Sequence, residues 1–187
     1  MRDPGRSQSE RVATSDVVVV KPNEVAEALE RHPEHRVLAE VLSPFSRAIE
    51  FAVPLSRMLR EHPEDGQAEL GRLTDVARSD IETAILAGAH GIFYILRGAD
   101  PSHSTPMEYG GLYLQKDRQL LDEVADAPCN VLYVDSGQEA YLDFLADLPV
   151  KYVLTRHLHL DSRPLVISAD ELRPAQTSPL GADQQPA

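Results

Sequence analysis

Four times in this chain a short apolar run breaks into a polar stretch that opens a helix, and this alternation limits the fold more than any other feature. "DVVVV" (Asp16 to Val20) precedes a helix opened by Pro22. "RVLAEVL" (Arg36 to Leu42) precedes Ser43-Pro44, with proline at its favoured first helical position. "GIFYIL" (Gly91 to Leu96) precedes Thr105-Pro106-Met107-Glu108, whose Thr and Glu three apart make a capping box. "CNVLYV" (Cys129 to Val134) precedes a second such box, Ser136 to Glu139, expected to open a helix to about Asp147. "KYVLT" follows as a fifth strand and "PLVIS" as a short sixth. Strand, loop and capped helix in repetition predict βα units and a parallel sheet.

The helices carry the matching period. Leu70, Leu73, Ala77, Ile81, Ala84 and Ile85 recur at three- and four-residue spacing through "DGQAELGRLTDVARSDIETAILAGA", an amphipathic helix feeding the third strand. The helix after Thr105 is expected to run to about Asp126. Residues 1–14 and 169–187 are polar and without periodicity, and read as disordered tails around one domain spanning 15–168. A chain of 187 residues is long enough for one real core.

Charge and cysteine content narrow the function classes. A net charge of −12 argues against nonspecific nucleic-acid binding and against anionic membranes. No apolar run approaches the length of a membrane span, and "MRDPGRSQSE" has no signal-peptide core. The single cysteine, Cys129, excludes an internal disulfide and suits a reducing cytoplasm, where it reads as a packed thiol at a strand start.

In open or closed parallel sheets, ligands bind at the carboxyl ends of the strands. By topology alone Arg97, the loop after it and Asp135 belong to that face. Arg97 offers a bidentate clamp for a carboxylate, or forms an ion pair with Asp100 or Asp135. Asp135 serves as an acid or holds a polar group, and Ser136 caps the next helix. His103, before the Thr105 cap, and Ser43, at its own helix start, are candidate ligand contacts. Tyr94 and Tyr109 are candidate pocket walls, although tyrosines in such places are more often core. His157, His159 and Asp161 alternate along "RHLHLD": one face of a strand bearing Zn²⁺ ligands, or an ordinary edge strand.

"SPFSRAIEFA", the stretch from "REHPEDG" through "AGAHGIFYILRGADPSHSTPMEYGG", and "NVLYVDSGQEAYLDFLADLPVKYV" together resemble the uroporphyrinogen decarboxylase superfamily. The resemblance runs from about Arg36 to Val153 and covers the central portion of that family. It implies a (β/α)8 barrel, present here as a partial barrel of five or six parallel strands with intervening helices. It also implies a cofactor-free carboxy-lyase acting on a carboxylated small molecule such as uroporphyrinogen, in porphyrin and haem biosynthesis, with Arg97 and Asp135 as catalytic candidates.

Several family residues lack counterparts. Where the decarboxylases have a tyrosine in the segment matching "SPFSRAIEF", this chain has Glu50, the substrate-contact candidate at that position. Where they have a serine after the third strand, this chain has Arg97. The N-terminal substrate arginines and the C-terminal histidine of the family have no match. Tyr133 to Gly137 stand where the methyltransferase branch of the family carries histidine and cysteine zinc ligands and hold neither residue type, which leaves a corrinoid-linked methyl transfer as the third reading. The second is a truncated or catalytically incompetent member that binds a ligand or partner. An open parallel sheet leaves its edges uncovered, so self-association or a complementing chain is expected.

Overall fold

The computed structural model of the chain describes residues 16–135, 140–146, 148–155, 158 and 164–175. Five parallel strands succeed one another: β1 (Val17–Val20), β2 (Arg36–Leu42), β3 (Gly91–Leu96), β4 (Val131–Val134) and β5 (Tyr152–Leu154). They lie in the sheet in chain order, each paired with the next. The sixth strand departs from the expected parallel series. β6 (Leu165–Ile167) returns to the opposite margin and pairs antiparallel with β1, Val18 facing Val166. A seventh strand, β7 (Arg173–Pro174), falls in the segment read as a tail and pairs antiparallel with β5. Ala169–Glu171 between them is a 3₁₀ turn, so the tail expected from residue 169 begins with ordered chain. Both margins of the parallel sheet are thereby covered by the chain itself, and the edge groups of β1 and β5 find partners without a second molecule.

That connection dictates curvature. β6 and β7 sit at opposite ends of the seven-strand order, which flattened would separate them by about 29 Å at the usual strand spacing. Yet only residues 168–172 join them, and six steps of extended chain reach about 21 Å at most. The sheet has to curl, and it does so as a mostly parallel half-barrel.

Strand alternation then makes two faces. Val17, Val19, Leu38, Phe93, Ile95, Val131 and Tyr133 point inward and pack with Leu154, Leu158, Ile167 and Leu172, a cluster with no helical member among the described residues. The other face carries the helices: α1 (Val25–Arg31), α2 (Pro44–Glu50), α3 (Leu55–Glu61), α4 (Pro63–Leu86), α5 (Pro106–Glu108), α6 (Leu114–Asp122) and α7 (Leu142–Leu145). There Tyr94, Leu96, Leu132 and Val134 meet Leu70, Leu73, Ala77 and Ile81 of α4 and Leu120 and Leu121 of α6. Burial of each such Leu or Ile stabilises by about 1.5–3 kcal/mol relative to exposure. Ile85, read as part of the α4 stripe, lies at its margin and is substantially exposed.

The helix after Thr105 is not continuous. The Thr105 hydroxyl accepts from the Glu108 amide, completing the capping box, but Tyr109–Tyr113 forms a π-helical turn before α6. Gly110 and Gly111 weaken the α-helix there, and the wider turn keeps both Tyr109 and Tyr113 buried. α6 stops at Asp122, short of the expected end. Of the helix expected from Ser136 to about Asp147, the described residues show the turn α7; the Ser136–Glu139 box lies outside the described residues. No helix among the described residues is long and apolar enough to cross a membrane.

Candidate functional site

The same alternation that fills the interior with apolar side chains delivers charged ones at its upper rim. Phe93 and Ile95 point inward, so the next inward residue, Arg97, stands just past the end of β3. Val131 and Tyr133 likewise lead to Asp135 past β4. The register sets Leu96 beside Val134, and the Asp135 amide donates to the Leu96 carbonyl, so the two ends meet. Arg97 Nε donates to Asp135 Oδ2 at 2.8 Å, and the Tyr133 hydroxyl donates to Asp135 Oδ1 at 3.0 Å. Arg97 Nη1 donates to Glu50 at the end of α2. The expected alternative partner, Asp100, is turned away: it accepts from the Ser102 amide and pairs with His103 Nδ1 at 2.9 Å.

The loop leaving Arg97 depends on Gly98. Its φ is +84°, and a Cβ there would stand 2.5 Å from the Phe45 ring. Beneath it, the Ser46 hydroxyl donates to the Ile95 carbonyl at 2.9 Å and accepts from the Arg97 amide at 2.7 Å. Ser43 caps α2 by accepting from the Ser46 amide. The backbone of Arg97 is therefore fastened to α2, the helix that also carries Glu50.

Burial alone would lower the Arg97 guanidinium; Asp135 and Glu50 outweigh it and hold the group above its ordinary value. The Tyr133 hydroxyl is pushed up to about 12, chiefly by burial, with Asp135 adding to the shift against the Leu158 amide. Tyr133 thus stays a donor across the physiological range.

Arg97 and Glu50 form one wall of a cleft of about 360 Å³, with Lys21, Glu40, Arg47 and Asp80 on the others. Lys21 pairs with Glu40 at 2.9 Å and Arg47 with Asp80. Leu42 and Ile95 supply apolar floor, and Phe51 stands at the rim. The cleft sits beyond the carboxyl ends of β1, β2 and β3, where parallel sheets present ligand sites.

Of the residues singled out in the sequence, Arg97, Asp135 and Glu50 come together. The others do not. Ser43 is buried and engaged as a cap. Tyr94 and Tyr109 lie in the helix layer, not on the pocket wall, because Tyr94 occupies the outward register of β3. Their hydroxyls donate to the two oxygens of Asp117, at 2.7 and 2.8 Å. His103 is exposed, pairs with the buried Asp100 and lies outside the cleft lining. His157, His159 and Asp161 lie outside the described residues, and among the described residues no group of three His, Cys, Asp or Glu is placed to hold a metal. Cys129 is buried just before β4, and burial raises its thiol.

Sequence reading missed Lys21, Glu40, Arg47 and Asp80. Glu40 carried a usable signal, a carboxylate inside the apolar run from Val37 to Leu42 and in phase with Leu38 and Leu42. Asp117 was missed as well. Burial lifts it to about 7, against the lowering effect of the Tyr94 and Tyr109 hydrogen bonds. Its spacing from Tyr113, Leu120 and Leu121 places it on the apolar stripe, which was the available clue.

No protein-family model matches the chain, and no curated protein matches it.

Proposed function

We propose that this chain is a uroporphyrinogen decarboxylase-like domain, half of a (β/α)8-type barrel, that binds a carboxylated small molecule at the carboxyl ends of its strands. The observation that carries the reading is the Arg97 guanidinium, fixed at the end of the central strand and turned into a cleft it shares with Lys21 and Arg47. Sequential parallel strands with helices on one face support the barrel relation. In the lyase form of the proposal, Arg97 holds a substrate carboxylate and a second carboxylate departs. The carbon–carbon bond breaks, CO₂ leaves, and Asp135 directs a proton to the carbon that keeps the electron pair.

A second reading is binding without turnover. Asp135 and Glu50 are both engaged with Arg97, and Asp135 also accepts from the Tyr133 hydroxyl, so each carboxylate already has a structural partner. Calorimetric titration with carboxylic acids, run beside an assay for released CO₂, separates the two. Binding with CO₂ release supports the lyase, and binding alone supports the second reading. Carboxylates that fail to bind the wild-type chain overturn both.

A further inference from the structure

Three ion pairs line the cleft, and they are not equally open to exchange. The carboxylate is 8% exposed in Glu40, 32% in Asp80 and 46% in Glu50. Arg97 keeps a second partner in Asp135, which is only 18% exposed, so it stays neutralised and oriented when Glu50 leaves. The cleft therefore offers one exchangeable carboxylate seat. Each further negative charge on a ligand would meet Glu40 or Asp80 on the remaining walls, and Lys21 and Arg47 are already engaged by them.

Beside that seat is an aromatic ring with no core to fill. Phe51 is 64% exposed and lines the cleft just past the end of α2, while Phe45 within α2 is buried. Leu42 and Ile95 continue the apolar surface inward. A volume of about 360 Å³ lies near the lower end of the roughly 300–1,000 Å³ that small-molecule pockets occupy, which suits one or two rings.

We propose that the ligand is a small aromatic monocarboxylate, which seats its carboxylate on the arm of Arg97 now held by Glu50 and its ring against Phe51. This rests on the reading of the cleft as a carboxylate site that binds without turnover, since a monocarboxylate seated on Arg97 carries no second carboxylate to release. Glu50 is then a built-in competitor for the seat, and Phe51 selects flat π-systems over saturated rings by offset or edge-to-face contact.

Benzoate, cyclohexanecarboxylate and benzene-1,3,5-tricarboxylate, titrated calorimetrically into the full chain, test the proposal. The wild type should bind benzoate about two- to tenfold more tightly than cyclohexanecarboxylate, and more tightly than the tricarboxylate. Phe51→Ala and Phe51→Leu should both remove the preference for the aromatic ring, Leu doing so while keeping apolar bulk. Glu50→Gln should tighten all three acids by about two- to fivefold, the effect of losing an exposed ion-pair partner. Equal affinity for benzoate and cyclohexanecarboxylate, or a ring preference surviving in Phe51→Leu, overturns the proposal and leaves the carboxylate reading standing. If no acid binds the wild type, the carboxylate reading itself fails.

Discussion

Asp117 shows how one side chain can set the pH response of the whole fold. It is fully buried between the Tyr94 and Tyr109 hydroxyls, and its carboxyl titrates near 7 in the folded chain against an ordinary value of 3.8. A raised folded value means that the native state keeps a proton the unfolded chain releases. The stabilisation is complete below pH 4 and is lost as pH rises to about 7, by roughly 4 kcal/mol in all. Urea denaturation between pH 4 and 8 should show this decline, and Asp117→Asn should flatten it. Gly91 sets a second limit. A Cβ there would stand 2.0 Å from the Cys129 carbonyl oxygen, so Gly91→Ala should cost about 3 kcal/mol or more in the same assay. At this scale the sequence marked Arg97 and Asp135 because each is the first polar residue after an apolar strand. It did not separate Tyr94 from them. Every residue of β3 is buried on both faces, so hydrophobicity gave no sign of which side chains turn toward the helices.

Elements were legible where local pattern and position agree. β2, α2 and β3 lie at the bounds their runs and caps imply, and the buried stripe of α4 follows its period. What stayed hidden was fixed by tertiary pairing. Nothing within "PLVIS" says that it turns antiparallel against β1, and Arg173–Pro174 is too short to read as a strand. The π turn at Tyr109–Tyr113 was equally silent, because the gain lies in burying two tyrosines against partners distant in sequence. Phe45 stacks on Tyr113 with ring centroids 4.0 Å apart. β6 is more than an edge cover, since Ile167 is fully buried in the inner cluster. Ile167→Ala should cost about 2–5 kcal/mol in thermal or chemical unfolding, as other buried Ile truncations do. A cost under 1 kcal/mol would mean that β6 is peripheral to the core.

On the scale of the molecule, β6 and β7 change the expectation drawn from an open sheet. An uncovered β1 and β5 invited a second chain, whereas strands of this chain occupy both margins through a link too short for a flat sheet. Light scattering on the eluting peak should find a monomer, with near-UV circular dichroism from the buried tyrosines. An obligate dimer would show that another surface governs assembly. The parallel order sets the carboxyl ends of β1, β2 and β3 side by side, and the cleft with the Arg97 seat lies beyond them. The most direct test of that seat is NMR of the arginine Nε–Hε groups during titration with benzoate, with Arg97 assigned by the signal missing in Arg97→Lys. The account predicts that the Arg97 signal moves saturably with ligand, while those of exposed arginines such as Arg31 and Arg57 stay fixed. Saturable binding that leaves the Arg97 signal unmoved would contradict it.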